Sequence, residues 1–243
     1  MEALKVNTAH YNTAVGAKAL TANTTGAYNT ALGRQAMQAN TTADRNVSVG
    51  YTSMFSNTTG QYNTALGMNS LYANTSADYN TAVGYDALQA NTTGVRNTAI
   101  GYNALALNTT GNYNVAVGYG ALKANTTPTE NTAVGYNTGT GITTGDDNTC
   151  LGFASGASTT NITTGRFNTC IGAHSHTSSA TANNQIVIGY DCNGVGDGYV
   201  TIGKDNASAH RIYNQFTSNA SWTRASDERI KKDITTNTDC GLA

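Results

Sequence analysis

The chain is poor in charge, in proline and in long apolar runs. Of its 243 residues, 13 are Lys or Arg and 14 are Asp or Glu, 11% in all, where a globular domain carries about 25%. A net charge of −1 excludes a basic groove for nucleic acid. One proline and almost no net charge are the wrong composition for solvated disorder. No run of about 18 apolar residues and no charged-then-apolar leader is visible, so neither membrane insertion nor a signal peptide is expected. The four cysteines, Cys150, Cys170, Cys192 and Cys240, lack C-x-x-C spacing, which argues against zinc; no metal or cofactor is predicted.

What is abundant is Thr, at about 40 copies, with about 30 Asn and 26 Gly, all poor residues for helix interiors, so a helical bundle is excluded. The bias comes from a repeat. A string of the form N-T-A-V-G begins at Asn12 and returns at Asn29, Asn46, Asn63, Asn80, Asn97, Asn114, Asn131 and Asn148, each 17 residues after the last. Further copies begin at Asn168 and Gln185, and a last relative spans Tyr199 to Gly203. Between the strings runs a second pattern, A-L-x-A-N-T-T-G-x-Y.

A period of 17 is too short for two packed helices and fits one turn of a parallel β-solenoid or β-roll, an all-β fold. Residues are numbered below by position in the coil, with the Asn of each string as position one. Alternation along a strand puts positions two and four on one face. Position four is always Val, Leu or Ile, and position two, usually Thr, becomes Val47, Val115 or Ile186, so that face is expected inside. Position three, nearly always small, is expected to meet either the opposite wall of a thin coil or a neighbouring chain. The Gly at position five predicts a corner, and Leu20, Met37, Met54, Leu71, Leu88, Leu105 and Leu122 are expected to fill the second wall. The N-T-T element reads as a turn; it also matches the N-glycosylation acceptor pattern.

Few residues offer chemistry. Cys150 and Cys170 share position three of successive strings, within disulfide reach or, as the blander reading, as small buried thiols. His174 and His176 are weighed as metal ligands against a solvated loop. Tyr11, Tyr28, Tyr62, Tyr79 and Tyr113 precede the Asn and form either a sugar-stacking ladder or a packing column.

The repeated strings resemble the head repeats of trimeric autotransporter adhesins, at a longer period, and that resemblance implies a β-roll in a parallel homotrimer. Beyond Gly203 the composition changes, with ten charges in residues 204–233 and the only Trp, Trp222. There Ser226-Asp227-Glu228-Arg229-Ile230-Lys231-Lys232-Asp233 resembles the opening of the intramolecular chaperone, the self-cleaving peptidase domain at the C-terminus of phage tail fibres and tailspikes. That resemblance implies Ser226 as nucleophile and Lys231 as its base, a helix after Ser226, and trimerisation of a β-rich stalk. The alternative is a capped, charged helix start.

The expected organisation is a β-solenoid shaft at 1–203, a connector or neck at 204–225, and the start of the chaperone at 226–243. Both ends read as cuts through a longer protein, so self-cleavage is not expected of this chain as it stands, and the shaft itself is not expected to be an enzyme. The function expected is structural and host-attaching: the shaft of a trimeric viral tail fibre, in the virion, meeting a host-cell surface glycan or protein receptor. The competing expectations are a bacterial trimeric adhesin at the cell surface and an ice-binding solenoid.

Overall fold

The computed structural model describes residues 2–157, 160–205 and 210–215 and the backbone of 223 and 224. The chain winds into a parallel β-solenoid. Eleven three-residue strands, β1 (Thr13–Val15) through β11 (Ile186–Ile188), each supplied by one string, lie side by side in sequence order in one sheet. Pairing is parallel and in register, so like meets like: Ala14 beside Ala31, Ala31 beside Ser48, Cys150 beside Cys170. β12 (Tyr199–Gly203) adds to β11 in parallel. Two strands from the 204–225 segment, β13 (Arg211–Gln215) and β14 (Thr223–Arg224), then continue the sheet in the antiparallel sense. No helix occurs among the described residues. The helix expected after Ser226 lies outside them.

Hydrogen bonding between coils does not stop at the sheet. The N–H of Leu20 donates to the Ala36 carbonyl at 3.1 Å, that of Ala22 to Gln38 at 3.2 Å, and that of Thr24 to Thr41 at 2.9 Å, and the pattern returns in later coils. Backbone donors and acceptors that a short strand would leave bare are thus met by the next turn of the same chain.

Which side of the strand faces inward is the reverse of the expectation. Ala31, Ser48, Ala65, Ala82, Ala99, Ala116, Ala133, Cys150, Cys170 and Val187, all at position three, are fully buried. The aliphatics at position four lie half open, with Val15 56%, Leu32 47%, Ile100 40% and Leu151 45% exposed. The expectation put the larger apolar side chains in the core because burying them stabilises more. The coil is too thin for that. Leu20, Met37, Met54, Leu71, Leu88, Leu105 and Leu122 fill the second wall as expected, fully buried, and opposite them the sheet has room for little more than a methyl group. Positions one and three therefore form the inward pair, and two and four the outward pair.

The corners are conformationally demanding. Gly84 has φ +135, and a Cβ there would sit 2.5 Å from the Gly101 carbonyl oxygen, so the close stacking of coils excludes any side chain at position five. Positions seven, nine and seventeen also adopt the left-handed conformation with ordinary side chains, as at Asp86 (φ 53), Leu88 (φ 51) and Arg96 (φ 57). Each such residue costs of order 1 kcal/mol or more in isolation. They persist because neighbouring coils hold the identical backbone on both sides.

The reversed face is testable by adding bulk on each side of one strand. Ala82→Ile, which forces a larger side chain against the Leu wall, is expected to destabilise the chain by about 3 kcal/mol in urea unfolding. Thr81→Ile, outward and matching Ile186 in a later coil, is expected to change stability by about 0.5 kcal/mol at most. Equal costs would show that the strand faces have been assigned wrongly.

Candidate functional site

Two polar columns run through the interior. At position one, Asn29, Asn46, Asn63, Asn80, Asn97, Asn114, Asn131, Asn148 and Asn168 are buried. Each acts as a clamp between coils, as Asn80 illustrates. Its Oδ1 accepts the backbone N–H of Asn97 at 2.9 Å, and its Nδ2 donates to the Gly94 carbonyl at 2.9 Å. A second column, Asn23, Asn40, Asn57, Asn74, Asn91 and Asn108 at position twelve, links amide to amide: Asn74 Nδ2 to Asn57 Oδ1 at 2.8 Å, Asn108 Nδ2 to Asn91 Oδ1 at 2.8 Å. These are the asparagines of the N-T-T element. Their amide nitrogens, the atoms glycosylation would modify, are enclosed and bonded, which supports the turn reading.

The second column ends where the sequence changes. Position twelve becomes Ile142, and in the following coil, which is 20 residues long, Ile162 takes the corresponding place in the I-T-T-G turn; both are fully buried. At that junction Asn125 has neither side-chain atom partnered, and Asn108 Oδ1 also lacks a partner.

The outside of the coil is ordered just as strictly. Tyr85, Tyr102, Tyr119, Tyr136 and Phe153, at position six, stack ring on ring with centroids 5.0–5.2 Å apart. On the other margin of the sheet, position seventeen forms a mixed stack. Tyr11 lies on Tyr28 at 4.9 Å, Arg45 sits between Tyr28 and Tyr62 at 5.4 Å from each, Tyr62 lies on Tyr79 at 5.0 Å, and Arg96 sits between Tyr79 and Tyr113. The sequence left this column as a sugar ladder or a packing column. Ring faces covered by the next ring or guanidinium cannot stack on a sugar, so the geometry favours packing. Only edges and hydroxyls remain outward.

Between these margins lie the Thr/Val column of position two and the aliphatic column of position four. A shallow groove of about 400 Å³, bordered by Thr8, His10, Tyr11 and Tyr28, lies at the N-terminal end. Further along the position-seventeen column stand Glu130 and Asp147, whose hydrogen bond holds the exposed Glu130 carboxyl above the usual carboxylate range.

The chemistry-bearing residues singled out from the sequence are not assembled into a centre. Cys150 and Cys170 are buried free thiols in adjacent coils, not a disulfide. Their mutual hydrogen bond, and burial with it, pushes the Cys170 thiol well up, and burial takes Cys192 up to about 11, so both stay protonated and inert at neutral pH. His174 packs edge-on between Phe153 and Tyr190, whereas His176 is buried with Nδ1 3.2 Å from the Thr177 carbonyl, so the two do not converge. Among the described residues no three His, Cys, Asp or Glu side chains come together. Ser226 and Lys231 lie outside the described residues, as do Trp222 and Cys240. What sequence reasoning missed is the Asn clamp: the signal was an Asn fixed at positions one and twelve, which reads equally well as turn composition.

No protein-family model, curated protein or solved structure matches the chain. The resemblances drawn from its repeat strings and from residues 226–233 rest on those strings alone.

The clamp and its break predict opposite effects for two similar substitutions. Asn80→Leu orphans the buried Asn97 N–H and removes one of the two amide donors to the Gly94 carbonyl, the other being Asn91 Nδ2, and is expected to destabilise by about 2 kcal/mol. Asn125→Ile removes an amide without partners and extends the Ile142 column, and is expected to be neutral or to stabilise by about 1 kcal/mol. Urea unfolding of the two variants beside the parent distinguishes them, and the reverse order would refute the clamp.

Proposed function

We propose that the chain is the shaft of a fibrous attachment protein, three parallel copies side by side. In the fullest form of this reading it belongs to a viral tail fibre or spike whose C-terminal continuation is the self-cleaving chaperone that residues 226–233 resemble. The observation that carries the reading is the uninterrupted in-register stack of near-identical coils. Such a stack sets a length, roughly 50 Å for eleven coils at about 4.8 Å each, and resists bending because every coil is bonded around its circumference to the next. The outward residues are columns rather than pockets, and the titratable groups are dispersed, as suits a spacer better than a catalyst. Contact with a host glycan or protein receptor then falls to the parts of the fibre beyond the regular stack. A bacterial surface adhesin would use the same shaft without the autocleaving continuation.

An ice-binding role gains one observation. The threonines of position two, expected inside the coil, point outward in a column along the sheet. Three of the eleven places in that column are Val47, Val115 and Ile186, and aromatic columns flank it, so the hydroxyl array is interrupted, which counts against ice binding and not against a shaft. Strong thermal hysteresis from the purified chain would place this reading first.

Two measurements test the shaft. Small-angle scattering is expected to show a rod whose regular part is about 50 Å long, with a mass of about three times 25.2 kDa; a globular profile would overturn it. Appending a complete chaperone domain of this type to the chain is expected to give cleavage next to Ser226, abolished in Ser226→Ala and in Lys231→Met. An uncut product from the unsubstituted fusion would remove the chaperone and tail-fibre part and leave the shaft.

A further inference from the structure

We infer that the outward face of the sheet formed by β1 through β11 is the surface through which copies of this chain associate. The inference rests on the shaft reading and supplies what it lacks, the contact itself. Positions two and four of all eleven strands carry Thr, Val, Leu or Ile, and not one charged residue. At position four the side chain is aliphatic in every coil; Val15, Leu32, Leu66 (36%), Ile100 (40%) and Leu151 (45%) are exposed, and the other six are partly exposed. In one copy these side chains touch no second layer, since the sheet's other face is already packed on the Leu wall.

Size argues for a partner. Eleven strands about 4.8 Å apart, with outward columns from position seventeen across to six spanning about 20 Å, make a face of roughly 1,000 Å². The largest apolar patch of a typical monomer is about 300–600 Å². A stable complex buries about 800 Å² on each partner. The whole face, margins included, is therefore large enough for an interface, with the uncharged columns of positions two and four as its centre.

Periodicity argues that the partner is a second copy. The aliphatics of position four stand in a row with the spacing of the strands, so an object that covers them all must repeat at that spacing for the whole length of the stack. A copy laid alongside, coil level with coil, does so by construction, and its own row can settle between the side chains of the first. The margins suit the rim of such a contact. Arg45 and Arg96 lie in the tyrosine stack of one edge, and Glu130 and Asp147 lie further along it, so the charges stay out of the apolar centre and reach water.

Sedimentation of three proteins tests this. The parent is expected to be multimeric. Leu66→Lys with Ile100→Lys is expected to sediment as a monomer while keeping the parent's circular dichroism. Gln38→Lys with Gln89→Lys, on the far wall where Lys123 already stands, is expected to assemble like the parent. Should the lysines disturb folding, Leu66→Thr with Ile100→Thr repeats the residue of the adjacent column and is expected to weaken association at least about tenfold. A multimeric parent whose face variants still assemble as tightly would overturn the interface and leave the shaft reading standing. A monomeric parent would overturn both, and one with thermal hysteresis would assign the face to ice.

Discussion

The buried asparagine of position one is the interaction on which the rest depends. A three-residue strand makes too few ladder bonds to fix its own register, and one slip of a residue would turn the inward side chain outward. The Asn removes the ambiguity. Its Oδ1 takes an N–H from the following coil and its Nδ2 a carbonyl from the turn that precedes that coil's strand. The two bonds are satisfied together only if the next Asn lies directly beneath. An uncharged amide can do this inside a core where an unpaired carboxylate would be far more costly to bury. Register, coil length and stacking distance follow from the one contact.

Stacking at that distance then dictates the other residues. With neighbouring backbones so close, position five admits only Gly, and the interior between sheet and wall admits a small side chain facing a large one. The left-handed residues at positions seven, nine and seventeen close the coil in 17 residues, and the same proximity brings their side chains into columns. At position seventeen this makes the Tyr and Arg stack and also sets Glu130 beside Asp147, a like-charge contact at an exposed site that holds the Glu130 carboxyl above the usual carboxylate range. The free thiols of Cys150 and Cys170 are another consequence: a small buried place occupied twice in succession.

Much of this was legible in the sequence, and the misreading is instructive. The period, the strand at each N-T-A-V-G, the Gly corner and the Leu20 to Leu122 wall all follow from spacing and residue type. The direction of the strand did not. Alternation separates positions two and four from positions one and three, but it does not say which pair is inside; that depends on coil thickness, which no local pattern records. Val83 was placed inward because it is larger and more apolar than Ala82, and Asn80, as the first residue of its string, was given no place in the core. Both have one source, the premise that the larger apolar side chains take the interior and polar ones the exterior. Ser226 and Lys231, read from a resemblance, lie beyond the described residues and gain nothing from the fold.

The separation of inward and outward positions also explains how the stack tolerates change and where it ends. Inward places vary little because each must match the coil on either side, and where one does change, from Asn125 to Ile142, the Asn125 amide and the Asn108 Oδ1 are left unpaired. Outward places are free to vary within a column, so surface character can alter along the stack without touching the clamp. A growing parallel stack would still leave an open edge, a template for further strands. At the C-terminal end β13 turns back on β12 in the antiparallel sense, pairing Ile202 with Ile212 and Tyr199 with Gln215. A strand running the opposite way breaks the direction of the repeat, so the next coil of another molecule cannot dock on β12 as β12 docks on β11. The direction reversal ends the parallel repeat at β12.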